Sequence, residues 1–421
     1  MSHKDWKLKA LTDIWTGDAD RQGERLVPTG LMGSLRWWFE VLVRGLDGKA
    51  CDPTTLVRCP DHAVKDPTKA SHHCVVCELF GCTGWARKFR LVVLDTGGNI
   101  IQKQIAAGTE FTLRFIPLRP ICDEEWCLLD CTLRIIAEYG AIGGKTVLKP
   151  SDQWGLADLG EEDFAEKNSS VWVENSRGGL PLQKGDVIKS VNGKTVGSLS
   201  ELRSLLLDKR HGELVKVTVL RKGREETMHL WAGKRHHQDF GLVSYVESPS
   251  NLNREITREH LEAYFSNNRW RREHNDQDFS WASLRYFWCV KGRYLARTAP
   301  DKSTFNLVVG RDPRKHCRDC GNIHDPPQKC PQTSRHPRRY SEENPKTEWE
   351  RWLAGRQQES KKVFSFKHPQ EGGRTFGFVK PRTVEVDKMK RRLQQAWPDL
   401  ADGEFLTDEE ILKSLCGGIR P

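Results

Sequence analysis

The chain has 421 residues, with 67 lysines and arginines against 57 aspartates and glutamates, a formal net charge of +10. That length provides for two or three domains and a core that needs no disulfide framework, and the positive excess favours a polyanionic partner without locating it. The opening MSHKDWKLKALTDIWTG lacks the apolar stretch of a signal peptide, no run elsewhere reaches a membrane span, and 13 cysteines with two C-x-x-C pairs read as metal ligands and small buried residues in a cytoplasmic protein.

Residues 7 to 10 open a short strand. In LVPTGLMGSLRWWFEVLVRGL, Leu31, Leu35, Phe39 and Val43 recur at helical spacing and predict a helix from about Thr29 to Leu46. A cysteine-rich loop, Cys51 to Cys82, precedes two alternating strands, RKFRLVVLD and TEFTLRFIPL. CLLDCTLRIIAEYGAIGGK then reads as a helix ending in a glycine-rich turn. Strand, helix, strands and helix in this order predict an α+β fold of the ferredoxin or RRM sort.

The composition changes after Lys149. A strand at Asp186 to Val191, an Asn192-Gly193 turn, a helix at Leu199 to Leu207 and two strands joined at Lys222-Gly223 form a self-contained set. LQKGDVIKSVNGKTVGSLSELRSLL resembles a PDZ domain of the kind attached to bacterial quality-control proteases, set here at residues 152–232. That resemblance implies capture of a peptide or C-terminal tail, with Trp154, Gly155 and Leu156 as the candidate carboxylate-binding loop. The flanking residues 1–151 and 233–421 then belong to one scaffold split by an insertion. Its later part carries a helix near Arg258 to Phe265, the aromatic run WASLRYFWCVKGRYL, a basic cysteine-rich loop from Arg311 to Tyr340, and a final sheet-and-helix portion.

Two cysteine groups have the makings of structural zinc sites. In the first, Cys74 and Cys77 are spaced for two thiolates on one tetrahedral ion, with Cys59 and Cys82 completing it; His62 lies nearby and Cys51 is an outlier. In the second, Cys317, Cys320 and Cys330 sit with His336 or His324 in a segment that has few apolar residues, so that a metal would organise it. Neither site would be catalytic if closed by four ligands. Arg314 and Arg338, beside the second group, read either as phosphate contacts or as a solvated basic loop.

Gly30 and Gly33 bracket the start of the first helix, where free N–H groups can admit a phosphate, with Arg36 one turn on. Trp37 and Trp38, adjacent on that helix, cannot both face the core, so at least one meets an edge, a partner subunit or a base, or else both line a domain boundary. Gly140, Gly143 and Gly144 precede Lys145, and Gly372 and Gly373 precede Arg374, so backbone and charge together suit an extended polymer. GGKT is no phosphate loop, because the position five before Gly144 is Tyr139. A metal-dependent ribonuclease built on His236, His237 and Asp239 fits poorly, since adjacent residues of a strand face opposite ways.

LTDIWTGDADRQGERLVPTGLMGSLRWWFEVLVRG, CVVCELFG and GAIGGKT with QDFGLV are similar to the RAMP superfamily, in particular to the first subunit of the type III-B (Cmr) CRISPR effector complexes. Gly30, Gly33, Arg36, Trp37 and Trp38 carry the match. Asp239 stands where that pattern has glycine, and the PDZ-like insert lies outside it. The resemblance implies tandem ferredoxin-like (RRM-like) domains around a groove. It also implies a non-catalytic role, binding the 3′ region of a guide RNA and its target in antiviral defence beside other RAMP-type subunits. The alternative is an adaptor that links the complex to a protease or signalling partner through the PDZ-like domain.

Overall fold

In KDWKLKA every second residue turns inward. Trp6, Leu8 and Ala10 are fully buried while Lys7 and Lys9 face out, so Lys4–Ala10 forms strand β1. This is a computed structural model; it describes residues 2–17, 25–51, 58–144, 155–175, 180–207, 214–232, 240–271, 281–295, 304–310, 347–355, 360–366, 373–380 and 386–415. Helix α1, Pro28–Gly45, begins with proline in its first turn, and the N–H of Val27 just before it donates to Thr16 Oγ1 (2.7 Å). It buries Leu31, Leu35, Trp38, Phe39 and Leu42 along one side. The short α2, Val75–Phe80, is followed by β2, Phe89–Leu94, β3, Glu110–Pro117, and α3, Asp123–Glu138.

The chain then leaves to build the unit Leu148–Gln238, whereas Met1–Val147 and Asp239–Pro421 together form the other. The smaller unit holds β4 (Phe164–Glu166), β5 (Val171–Val173), β6 (Val187–Val191), β7 (Lys194–Thr195), α4 (Leu199–Leu207), β8 (Leu214–Arg221) and β9 (Arg224–Trp231). Its sheet runs β4-β5-β6-β8-β9, with β7 on β6. Positive φ at both central residues, 51° and 78° at Asn192-Gly193 and 48° and 79° at Lys222-Gly223, marks the two tight hairpin turns the sequence predicts. Val171, Ile188, Val191, Leu202, Val215, Val217 and Val219 make its core. At its edge Arg221 makes a two-pronged bond to buried Asp186 (2.8 and 2.7 Å).

Strand β10, Val243–Glu247, returns to pair with β1, giving a sheet of order β10-β1-β3-β2 with every neighbour antiparallel. The insert therefore interrupts the step from the second long helix to the last strand. After α5 (Arg258–Ser266) come β11 (Phe287–Lys291), α6 (Thr304–Val309), α7 (Glu348–Ala354), β12 (Val363–Phe366), β13 (Arg374–Phe378), α8 (Val386–Ala396), β14 (Phe405–Leu406) and α9 (Asp408–Leu415). This sheet runs β12-β13-β11-β14. Counted within each sheet, both follow the order fourth, first, third, second.

The aromatic run FWCV of β11 is buried on both faces. Phe287 and Cys289 join the core under α1 and α3, and Trp288 and Val290 join the one under α6, α7 and α8. Trp38 enters that junction 5.6 Å from Phe287 and 6.0 Å from Phe376, its indole N–H donating to Ala141 O (2.9 Å). A Cβ on Gly140 would stand 2.5 Å from the Trp38 ring, so the glycine is what lets the indole seat. Among the described residues no helix is long and apolar enough to cross a membrane.

Candidate metal centre and nucleic-acid surface

Four buried thiols, Cys51, Cys59, Cys74 and Cys77, place their sulfurs within 4.8 Å of one another. A central ion about 2.3 Å from each of four tetrahedral sulfurs sets them about 3.8 Å apart, and Cys51 and Cys77 stand at 3.5 Å. The set differs from the predicted one. Cys82 is half-buried just past α2 and lies outside the group, and Cys51, which follows α1, takes its place. Two elements fix the geometry. α2 carries Cys74 at its N-cap and Cys77 in its first turn, and Cys59 accepts the Cys74 N–H (3.2 Å). Hydrogen bonds from Cys59, Cys74 and Cys77 drive Cys51 far below the ordinary thiol range, while bonds to Cys51 and Cys59, with burial, hold Cys74 well above it. Without a cation the group cannot carry four negative sulfurs; with a soft divalent ion it can.

Arg36, predicted to face RNA, instead caps this cluster. Its guanidinium donates to Cys77 Sγ (3.1 Å), Cys51 Sγ (3.7 Å), Gly81 O (2.9 Å) and Glu40 Oε1 (3.0 Å). Burial pushes Glu40 up to about 7, against the pull of Arg44 and Arg36. A positive group donating to two sulfurs offsets the excess charge of four thiolates around one divalent ion. The same loop is pinned by charges inside the protein. Glu78 of α2 meets His73 (2.7 Å) and Lys88 (2.8 Å), and Lys88 also holds Glu125 of α3 at 2.9 Å. Burial opposes ionisation of Glu78, yet His73 and Lys88 outweigh it and hold its pKa down at about 2. Tyr264 of α5 donates to the same Glu125 (3.0 Å).

Arg374 is likewise an internal residue. It is 3 % exposed and donates to Gly140 O (2.9 Å), where α3 ends, so it closes the helix instead of offering a phosphate contact. Trp38 is buried, and Trp37 packs edge-on to Phe378 at 5.7 Å. Of the two readings of this pair, the boundary between sheet layers is where they sit. The groove that the resemblance implies between the two sheets is, at these residues, filled by packed aromatic side chains. On the open face of the first sheet Arg114 is tied to Asp5 (2.9 and 2.7 Å) and Lys7 to Glu247 (2.5 Å), while Lys9 and Arg90 are exposed.

The start of α1 is different. Gly33 is exposed and a Cβ there would meet nothing, while Gly30 packs on Thr16. Gly144 N–H donates to Trp15 O (2.8 Å) and Gly143 N–H to Ser34 Oγ (3.1 Å), which brings the glycine-rich turn against the first turns of the helix. Arg25 pairs across an antiparallel bridge with Lys103, and Leu26 N–H donates to Gln102 O (2.9 Å), so two exposed cations stand just before Pro28. Sequence reasoning missed both, although the lysine in QKQ between two alternating strands was a visible signal. Lys145, Arg314, Arg338, Cys317, Cys320, Cys330, His324, His336, His236, His237, Asp239 and Trp154 lie outside the described residues.

In the insert, Gly155 and Leu156 are buried where the chain enters the unit, and Ala157 N–H donates to Ala232 O (2.7 Å) beside its exit. Trp154, the first residue of the expected carboxylate-binding loop, lies outside the described residues. The turn that leads into edge strand β4 is Gly160 to Asp163.

Residues 7–148 match the RAMP superfamily and residues 161–230 match the PDZ domain. The chain thus combines a RAMP-superfamily domain with a PDZ-like domain. No curated protein matches the sequence. Among solved structures, Cmr1 from Pyrococcus furiosus is 14% identical over 34% of this chain and 46% of its own, with a TM-score of 0.22. A type III-B Cmr-beta structure bound to cognate target RNA is 13% identical over 34% and 52%, with a TM-score of 0.22. The HtrA-type protease AlgW with a decapeptide is 18% identical over 36% and 43%, with a TM-score of 0.15. The chain spans about half the length of the solved chains it matches.

Proposed function

We propose that this chain is a non-catalytic, RNA-binding scaffold subunit of an RNA-guided effector complex of the type III-B (Cmr) kind, contacting the 3′ region of a guide RNA and its target beside other RAMP-type subunits. The observation that carries the reading is the RAMP-superfamily match over residues 7–148, in a frame where a glycine-rich turn, Gly33 and the cations Arg25 and Lys103 gather at the start of α1. Backbone N–H groups at a helix start, small residues and flanking positive charge suit a phosphate chain with little base selectivity. The shared strand order of the two sheets supports tandem ferredoxin-like domains.

Cys51, Cys59, Cys74 and Cys77 fit Zn2+, since four soft sulfurs in tetrahedral reach are its usual structural set. Filled by four sulfurs, the ion has no position left for water, so its part is to fold the loop between α1 and β2. The chain is then read as a scaffold and not a nuclease.

The test is to purify the full chain with its neighbouring subunits and sequence the nucleic acid that comes with it. Discrete RNA protected from nuclease, left uncut when the isolated chain is incubated with it, supports the reading. A preparation free of RNA, or one in which this chain alone cleaves RNA, overturns it. A second reading, peptide docking on the insert, is favoured by the position of β4 at the sheet edge beside α4.

A further inference from the structure

The insert offers a strand-addition groove with an unusual charge. β4 is the edge strand of its sheet, and α4 lies alongside it in the opposite direction: Glu161, ahead of β4, meets Arg203 at 3.0 Å, and Glu166, at the end of β4, accepts the N–H of Leu199. A chain laid between them can extend the sheet by main-chain bonds to β4.

A groove that takes a C-terminal tail needs free backbone N–H groups at its end to receive the carboxylate. Here that end already holds carboxylates. Asp163, fully buried, accepts the Gly160 N–H (2.9 Å) and returns its own N–H to Gly160 O (3.1 Å). The Glu162 carboxylate lies over the same glycine, its oxygen 2.2 Å from where a Cβ would stand. Among the described residues around the groove Glu161, Glu162, Glu166 and Glu201 are exposed, against Arg203, which pairs with Glu161, and Lys167, which pairs with Glu174. An incoming carboxylate would find the Gly160 and Asp163 N–H groups already taken and meet like charge; an incoming lysine or arginine would meet opposite charge.

We infer that the groove between β4 and α4 accepts an internal, lysine- or arginine-bearing extended segment of a partner protein, and discriminates against a free C-terminal carboxylate. The inference rests on the peptide-docking reading of the insert and specifies its ligand.

Two pools of random decapeptides, alike except that one ends in a free carboxylate and the other in an amide, are equilibrated with the immobilised full chain. The retained peptides are sequenced, and the strongest is remade in both forms for affinity measurement. The expected result is enrichment of lysine and arginine, with the amide form binding at least as tightly as the acid. Glu162→Lys, at an exposed position, should weaken the basic peptide by about fivefold. A free-carboxylate form that binds tenfold tighter than its amide, or retained peptides that lack basic residues, overturns the inference while leaving peptide docking intact. Retention of neither pool overturns peptide docking itself, and the inference falls with it.

Discussion

Residues 46–88, between α1 and β2, and the unit Leu148–Gln238, between α3 and β10, interrupt the same frame, yet they are held by opposite means. The first has no apolar run between Arg58 and Cys74, and its organisation converges on four thiols, Arg36 and the buried Glu78–Lys88–Glu125 chain. The second has a continuous aliphatic core of its own and close-fitting hairpins. A segment with a hydrophobic pattern can order itself; one without it needs an ion or a buried charge network.

Removing a thiol should break that contrast most forcefully. Cys77→Ser is expected to lower bound zinc by one ion per chain, measured by elemental analysis, and to open residues 46–88 to protease while the insert stays resistant. Structural zinc contributes on the order of 10 kcal/mol to small zinc-folded segments, so an unchanged zinc count would show that the four sulfurs serve no ion. In the insert the corresponding weak point is Asp186. Asp186→Asn leaves half-buried Arg221 with only exposed Glu226 as an ionic partner and should cost about 2 kcal/mol in denaturant unfolding of the insert.

The pH dependence has a fixed sign. Burial works against the Asp186 charge, but Arg221 and the Gln183 N–H outweigh it and hold its pKa below the usual aspartate value. The stability it gives is complete above about pH 4 and is lost as pH falls further. Asp186→Asn should flatten that acid limb, as followed by circular dichroism; an equally steep limb in the variant would assign it elsewhere.

Arg36 separates metal support from RNA contact. An ammonium cannot make the four bonds of its guanidinium, so Arg36→Lys should weaken metal affinity by about 10- to 100-fold in a chelator competition and leave RNA affinity unchanged. Selective loss of RNA binding would return Arg36 to the nucleic-acid surface. The smallest effect is expected from Lys103→Ala: RNA affinity should fall a few-fold, and the slope of log affinity against log salt should drop by about 1.

The strands, both long helices of the first sheet and the turns of the insert were legible because period 2, period 3.6 and Asn-Gly hairpin chemistry are local signals. The Cys74–Cys77 pair was legible for the same reason. Cys51 was not, because its partners lie far along the chain and only the meeting of α1 with α2 brings them together. Helical spacing put Arg36 on a face of α1 but could not say that sulfur, and not phosphate, covers that face. Arg374 misled similarly: a basic residue after two glycines suits a polymer, yet tertiary packing places it under the carbonyls of Ile136 and Gly140 at the end of α3.

The most direct test of the RNA-scaffold account is the affinity of the full chain for a single-stranded RNA between low and moderate salt. Electrostatic binding along a phosphate chain predicts a straight, steep fall of log affinity with log salt, its slope scaling by about 0.7 per phosphate contacted. A flat line, or no binding at low salt, would contradict it.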